Sequence, residues 1–96
     1  MSVIASRAVA PSLLEVRVLF FGRVGDRLGR ETRLTIPAAG CSVASLKELL
    51  IRQFAEAGAA LGERGVRWAV DQEIVGAEAW VRPGQEVAFF SMFSGG

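Results

Sequence analysis

Histidine is absent from this 96-residue sequence, and cysteine occurs once, as Cys41. A zinc site needs several nitrogen or sulfur ligands, and a Ser-His or Cys-His nucleophile needs an imidazole base, so both kinds of site are excluded. A single cysteine also excludes an intrachain disulfide, which fits a reducing cytoplasm. Cys41 lies between a glycine and a serine, and we expect it to be a small, half-buried turn residue.

The sequence also lacks a strong net charge and a long apolar segment. Lys and Arg together number 11 and Asp and Glu 10, which gives a net charge of +1. The arginines are scattered rather than gathered into the basic stripe typical of nucleic-acid binding. No segment approaches the ~20 apolar residues that span a bilayer, and residues 1–12 lack the features of a signal peptide. We therefore expect a cytoplasmic protein that binds neither nucleic acid nor membrane.

The apolar content of the sequence is sufficient for one domain. Apolar residues make up 51% of the chain, enough for a small domain to fold alone. We predict a flexible N-terminal extension at residues 1–12, a single domain at 13–90 and a flexible C-terminal tail at 91–96.

Two alternating segments open the predicted domain. Residues 14–21 and 31–36 are apolar at every second position, which predicts two strands. Residues 22–29 between them are interpreted as a loop with at most one short helical turn, so the strands form an antiparallel hairpin. Near the end of the first strand, Leu19 and Phe21 make its second face apolar. That face must be covered, either by the domain itself or by a partner.

An amphipathic helix follows the hairpin. Ser42 is a suitable N-cap, and apolar residues recur at helical spacing from Val43 to Phe54. We expect Gly58 and its small neighbours to end the helix. The rest of the chain predicts a strand at 66–70, a turn with a short return at 71–75, a short strand at 80–81 and a last strand at 87–90. One helix covering one mixed sheet is an α+β roll.

The last six residues, SMFSGG, continue no helix or strand pattern, so we expect them to project from the last strand. Fully extended they would reach at most ~20 Å, enough to enter a cleft in another protein. Because glycine has no Cβ atom, Gly95 and Gly96 can pass through a narrow channel. The reactive group of this tail is then the α-carboxylate of Gly96. It is a poor electrophile at neutral pH, so a partner enzyme must activate it, most simply as an acyl-adenylate made with ATP. A sulfur donor would then displace AMP and leave a thiocarboxylate.

Several segments together resemble the small subunit of molybdopterin synthase. They cover the chain from about residue 14 to its end, and their order is more specific than any one of them. They are VLFFG at 18–22, VGDRLG at 24–29, SVASLKELL at 42–50, VDQE at 70–73, PGQEVAFF at 83–90 and SGG at 94–96.

The resemblance implies a β-grasp, ubiquitin-like fold and sulfur carriage in molybdenum cofactor synthesis. An adenylating E1-like enzyme would activate Gly96, and a sulfur donor enzyme would convert it to the thiocarboxylate. The large subunit of molybdopterin synthase would accept the tail in a heterotetramer, where sulfur passes to cyclic pyranopterin monophosphate. The chain would be no enzyme on its own and would bind no cofactor, since ATP is used by the activating partner.

The resemblance also implies roles for individual residues. Gly96 would bear the sulfur, and Gly95 would supply the slim approach to the active site. Leu19, Phe21 and Phe90 are candidates for an apolar docking surface, although core packing explains them equally well.

The segment before the diglycine departs from the family. Prolines are frequent there, whereas this chain has Ser91-Met92-Phe93, so Met92 and Phe93 are candidates for filling a partner pocket next to Ser94. Three other functions stay open at this point: sulfur carriage for thiamin synthesis, tRNA thiolation or cysteine synthesis; protein modification by isopeptide bonds from Gly96; and an interaction module with an inert tail.

Overall fold

The predicted N-terminal hairpin is present. In the computed structural model of the protein, which describes residues 14–91, strand β1 spans Glu15–Phe21 and strand β2 spans Glu31–Thr35. The two strands pair antiparallel, with Val16 opposite Leu34. Alternate side chains of β1 are buried, as their period of two requires for a strand with one face on the core.

The segment between these strands forms helix α1, Arg23–Leu28. It is longer than the single turn that the sequence predicted. Gly25 lowers the helix propensity of this segment, but a Cβ atom at this position would lie 2.8 Å from the Phe20 carbonyl oxygen. The glycine therefore permits the close packing of α1 on β1, and Val24 is buried in that contact.

The main covering helix begins where the sequence predicted. Helix α2 spans Val43–Gln53, and the Ser42 hydroxyl oxygen accepts a hydrogen bond of 3.1 Å from the Ser45 backbone N–H. This bond satisfies one of the donors that the first turn of a helix leaves unpaired. The buried face of α2 consists of Val43, Leu46 and Leu50.

The predicted end of this helix was wrong. The helix stops at Gln53 rather than near Gly58, and Phe54 follows it in an extended conformation with φ −123° and ψ 123°. Phe54 turns toward Phe20, Leu28 and Thr32, with which it lines a small apolar depression. Gly58 instead lies inside a further short helix, α3, Ala57–Leu61, in which Ala57, Ala60 and Leu61 are buried.

The bounds of the remaining strands are Val66–Val70 for β4, Glu73–Ile74 for β5, Trp80–Val81 for β6 and Glu86–Ser91 for β7. The short hairpin of β4 and β5 closes through Asp71 and Gln72, both with positive φ (49° and 70°). In the main sheet the order is β2-β1-β7-β4-β5; β1 and β7 pair in parallel and the other neighbours are antiparallel. This mixed sheet confirms the α+β roll.

A second, two-stranded sheet corrects the placement of Cys41. This residue is not a half-buried turn residue: it lies in β3, Cys41–Ser42, opposite Val81 of β6, and is only 7% exposed. The pairing of β3 with β6 brings the start of α2 against the chain that leads into the last strand, which removes the thiol from solvent.

The core lies between the main sheet and the helices. Its centre is Phe89 of β7, which is fully buried. The Phe89 ring centroid lies 6.2 Å from that of Phe20 on β1 and 6.3 Å from that of Trp68 on β4. Such aromatic contacts add to the stabilisation from burial. No helix within residues 14–91 is long and apolar enough to cross a membrane.

The loop before β3 depends on a glycine. Gly40 has φ +91°, and a Cβ atom there would lie 2.5 Å from the Val81 carbonyl oxygen and 2.6 Å from Trp80 Nε1. The indole N–H of Trp80 donates a 2.9 Å hydrogen bond to the Ala39 carbonyl, which holds the ring over this loop.

Replacing Gly40 by alanine is expected to lower the free energy of unfolding by about 2–5 kcal/mol, because backbone strain adds to overpacking. Gly29→Ala is the matched control, since Gly29 has φ +92° but open space around the position of its Cβ atom. It should cost about 1–3 kcal/mol from strain alone. Urea denaturation of both variants measures the difference, and equal losses would contradict the close approach at Gly40.

Candidate functional site

The three apolar residues singled out for docking lie together on one face of the sheet. Leu19 and Phe21 alternate with the buried residues of β1, so they point away from the core, and Phe90 does the same on β7. The parallel register of β1 and β7 places Phe21 opposite Phe90 and Leu19 opposite Ala88. The sheet face opposite α2 therefore brings together side chains from the first and the last strand of the domain.

These side chains are not part of the buried core. Phe21 is 53% exposed, and Leu19 and Phe90 are half-buried. The apolar area of a ring with this exposure is removed from water only when another surface covers it. The structure thus supplies the geometry for docking, and the docking role itself stays a prediction.

Sequence reasoning missed Ile74, which extends this apolar surface. Ile74 of β5 is 65% exposed and lies opposite Ala69 of β4. Ala69 in turn lies opposite Ala88, so one row of apolar side chains crosses from β5 to β1. The two-residue turn between β4 and β5 fixes this register, and recognising it in the sequence would have placed Ile74 on this face. We call Leu19, Phe21, Ile74, Ala88 and Phe90 the open-face patch.

Ion pairs occupy the end of the open face where β1 begins. Arg17 donates two hydrogen bonds to the Glu31 carboxylate, Nε to Oε2 at 3.0 Å and Nη2 to Oε1 at 3.2 Å. The hydrogen bond from Arg17 lowers the pKa of the Glu31 carboxyl, and the same bond raises the pKa of Arg17. A longer pair joins Arg33 to Glu15 at 3.7 Å. All four side chains are at least partly solvated, so these pairs contribute little to stability.

The last described residue of β7 lies beside the open-face patch. Strand β7 ends at Ser91, the residue after Phe90. Ser91 lies opposite Val66 of β4, so the root of the tail is paired with the neighbouring strand on that side. The predicted tail residues Met92, Phe93, Ser94, Gly95 and Gly96 lie outside the described residues, and their roles stay predictions.

Cys41, the one thiol of the chain, lies elsewhere. It is on β3 in the second sheet, and its burial raises the pKa of the thiol. A reactive cysteine is accessible and readily deprotonated, and Cys41 has the opposite properties. Within residues 14–91 no group of acidic or cysteine side chains is arranged to hold a metal ion.

The sequence relationship agrees with this geometry. Residues 18–96 match the sequence profile of the ThiS family. The chain belongs to the ThiS family. It is thus a ubiquitin-like sulfur carrier of the type that includes the molybdopterin synthase small subunits, and such carriers are generally non-catalytic partners of larger proteins. No curated protein matches the sequence.

Solved structures confirm the β-grasp fold expected for a ThiS-family chain. SAMP1 from Haloferax volcanii is 20% identical with a TM-score of 0.67, and the match covers 85% of this chain and 99% of SAMP1. A putative molybdopterin converting factor, subunit 1, from Pyrococcus furiosus is 21% identical with a TM-score of 0.68, over 83% and 99% of the two chains. A chain of the BexX/CysO complex from Amycolatopsis orientalis is 23% identical with a TM-score of 0.63, over 84% and 99%.

The burial of Cys41 generates a chemical prediction. Native protein should react with iodoacetamide at pH 8 at least about tenfold more slowly than the urea-unfolded chain, because access and thiolate formation are both reduced. Mass spectrometry of the alkylated fraction over time measures both rates. A Cys41→Ala variant controls for alkylation at other groups. Equal rates would show that the thiol is accessible and would contradict its burial on β3.

Proposed function

We propose that this ThiS-family chain is the sulfur carrier subunit of molybdopterin synthase, with Gly96 as the residue that bears the sulfur. The observation that carries the proposal is the open-face patch next to the root of the tail. It offers a partner an apolar surface from which the following residues extend. The order of family segments from residue 18 to SGG at 94–96 supports this pathway, as does the likeness to the Pyrococcus furiosus protein.

The proposed chemistry takes place at the carboxylate of Gly96. A carboxylate oxygen attacks the α-phosphorus of ATP on the adenylating partner, and pyrophosphate leaves. A hydrosulfide equivalent (HS−) from the donor enzyme then attacks the acyl carbon, AMP leaves with the electrons of the broken C–O bond, and loss of a proton leaves the thiocarboxylate. The large subunit accepts the loaded tail, the thiocarboxylate sulfur bonds to cyclic pyranopterin monophosphate, and water cleaves the C–S bond to Gly96, which returns to a carboxylate. Each step uses groups of the partners, so the carrier itself needs no side-chain acid or base.

The domain contributes by positioning the tail on the partner. Gly95 and Gly96 lack Cβ atoms and fit a narrow passage of the partner, whereas the open-face patch binds the partner's surface outside that passage. When Phe21 and Phe90 are bound, the end of β7 has a fixed position on the partner, so the carboxylate reaches the active site within one complex rather than by a separate encounter. The crystal structure of CysO together with BexX is consistent with a carrier of this fold acting in a complex.

Loading of Gly96 is tested directly by intact mass. The full chain is incubated with ATP, a cognate adenylating enzyme and a sulfur donor, and its mass should rise by the difference between one sulfur and one oxygen atom. A chain lacking Gly96 is the control and should not change. Absence of the shift with every cognate enzyme would overturn sulfur carriage, and isopeptide-linked lysines in extracts would indicate a protein modifier.

The pathway is tested separately with the loaded chain. Adding the thiocarboxylated protein and the large subunit to cyclic pyranopterin monophosphate should yield molybdopterin, measured by fluorescence of its oxidised product. Loading without molybdopterin formation would retain sulfur carriage but contradict this pathway, leaving thiamin, tRNA or cysteine synthesis.

The patch is tested by removing its most exposed aromatic ring. Phe21→Ala should weaken binding of the large subunit by about 10- to 100-fold, the loss typical of a buried aromatic anchor. Ile51→Ala is the control, because Ile51 is an exposed apolar residue of α2, on the other side of the sheet. Calorimetric titration gives both affinities, and thermal unfolding checks that both variants are folded. Equal affinities would show that the patch is not the docking surface.

A further inference from the structure

The arginines that β1, β2 and β4 place on the open face differ in their ion pairing with residues 14–91. Arg17 and Arg33 on this face are paired with Glu31 and Glu15. Arg67 of β4 is exposed, and it forms no salt bridge with any carboxylate of residues 14–91. The charged end of the face is therefore largely neutralised by its own ion pairs, whereas Arg67 presents a positive charge.

The register places Arg67 beside the open-face patch, one residue pair from Ser91, the last described residue of β7. Arg67 lies opposite Phe90, and Phe90 lies opposite Phe21, so the three residues form one row across β4, β7 and β1. The next residue pair along β4 and β7 is Val66 with Ser91, at the root of the tail. A surface that covers the open-face patch from Phe21 and Phe90 to Ile74 therefore passes next to Arg67.

The guanidinium of Arg67 makes one hydrogen bond within residues 14–91, and its other donors have no acceptor there. Its Nη1 donates one hydrogen bond of 3.2 Å to the Val66 carbonyl oxygen, and this is its one side-chain hydrogen bond to residues 14–91. The other donors of the planar group point to no protein acceptor in that part of the chain, and a guanidinium offers a fork of N–H groups that fits a carboxylate.

Burying the open-face patch in an interface without pairing the charge of Arg67 would cost free energy. A cation that loses water and gains no partner pays a desolvation penalty, and a carboxylate in hydrogen-bonding geometry offsets it. Charged groups at the rim of an interface also exclude partners of the wrong sign and accelerate association with those of the right sign.

We infer that Arg67 is a specificity-determining residue, which pairs with a carboxylate that the adenylating partner presents beside its apolar docking surface. The inference rests on the proposed function and adds the chemistry by which the partner is selected. A partner with an apolar surface but a lysine or arginine at that position is rejected.

The test is the rate of adenylation of the full chain, followed by pyrophosphate release in a steady-state assay that includes the sulfur donor, so that the acyl-adenylate turns over. Arg67→Glu should raise KM by about 10- to 100-fold through lost attraction and new repulsion, with kcat nearly unchanged. Arg67→Lys keeps the charge but lacks the planar fork of N–H groups, so it should recover only part of the loss. Arg82→Glu is the matched control, with the same change of net charge. Arg82 is exposed, lies before the opposite end of β7 and has no salt bridge within residues 14–91.

Salt dependence supplies a readout that a structural role would not change. KM of the unsubstituted chain should rise with sodium chloride, and the slope should be shallower for Arg67→Ala. Equal KM values for Arg67→Glu and Arg82→Glu would overturn the inference. A fall in kcat alone would also overturn it, because Arg67 would then position the chain's own tail. No pyrophosphate release from the unsubstituted chain with any cognate enzyme would instead contradict the proposed function.

Discussion

The parallel pairing of β1 with β7 is the constraint on which the other features of the molecule depend. Parallel neighbours cannot be joined by a tight turn, so the chain between them supplies every other element, including α2 and the second sheet. Their register, with Phe20 beside Phe89 on one face and Phe21 beside Phe90 on the other, assembles core and surface in one step. A slip of one residue would exchange these faces, bury the outward-facing residues and expose the core.

The two faces of this central strand pair explain how a small carrier can fold stably and also bind a partner. Phe89 packs between the aromatic rings of Phe20 and Trp68 under the helices, so the stabilising contacts of β7 lie on the covered face. The open face consequently carries residues that stability does not require, such as Phe21. Exposure of their apolar area to water costs free energy, and this free energy is recovered when a partner covers the area. Substitutions at the open-face patch should therefore separate binding from folding.

Local signals in the sequence predicted the parts of the fold that local physics controls. The alternation in β1, the Ser42 cap and the apolar stripe of α2 depend on near neighbours, and the structure confirmed them. The predicted end of α2 was wrong because Phe54 leaves the helix and lines an apolar depression with residues of α1 and β2 that are distant in sequence. The predicted half-burial of Cys41 was wrong for the same kind of reason, since the pairing of this residue with Val81 buries it. At the candidate site the sequence identified Leu19, Phe21 and Phe90, but Ile74 and Arg67 acquire their meaning from register across the sheet.

The position of the tail on a central strand has a consequence for the order of events. Strand β7 is held by β1 on one side and by β4 on the other, so the root of the tail keeps a fixed distance from the open-face patch. A partner that binds the patch therefore meets Ser91, where the tail begins, at a fixed place on the domain. Under the proposed function, an activating enzyme and an acceptor would both use this face and could not occupy it together. The carrier would then have to leave the first before the second could bind, so the proposed function requires an affinity for the patch that is moderate as well as specific.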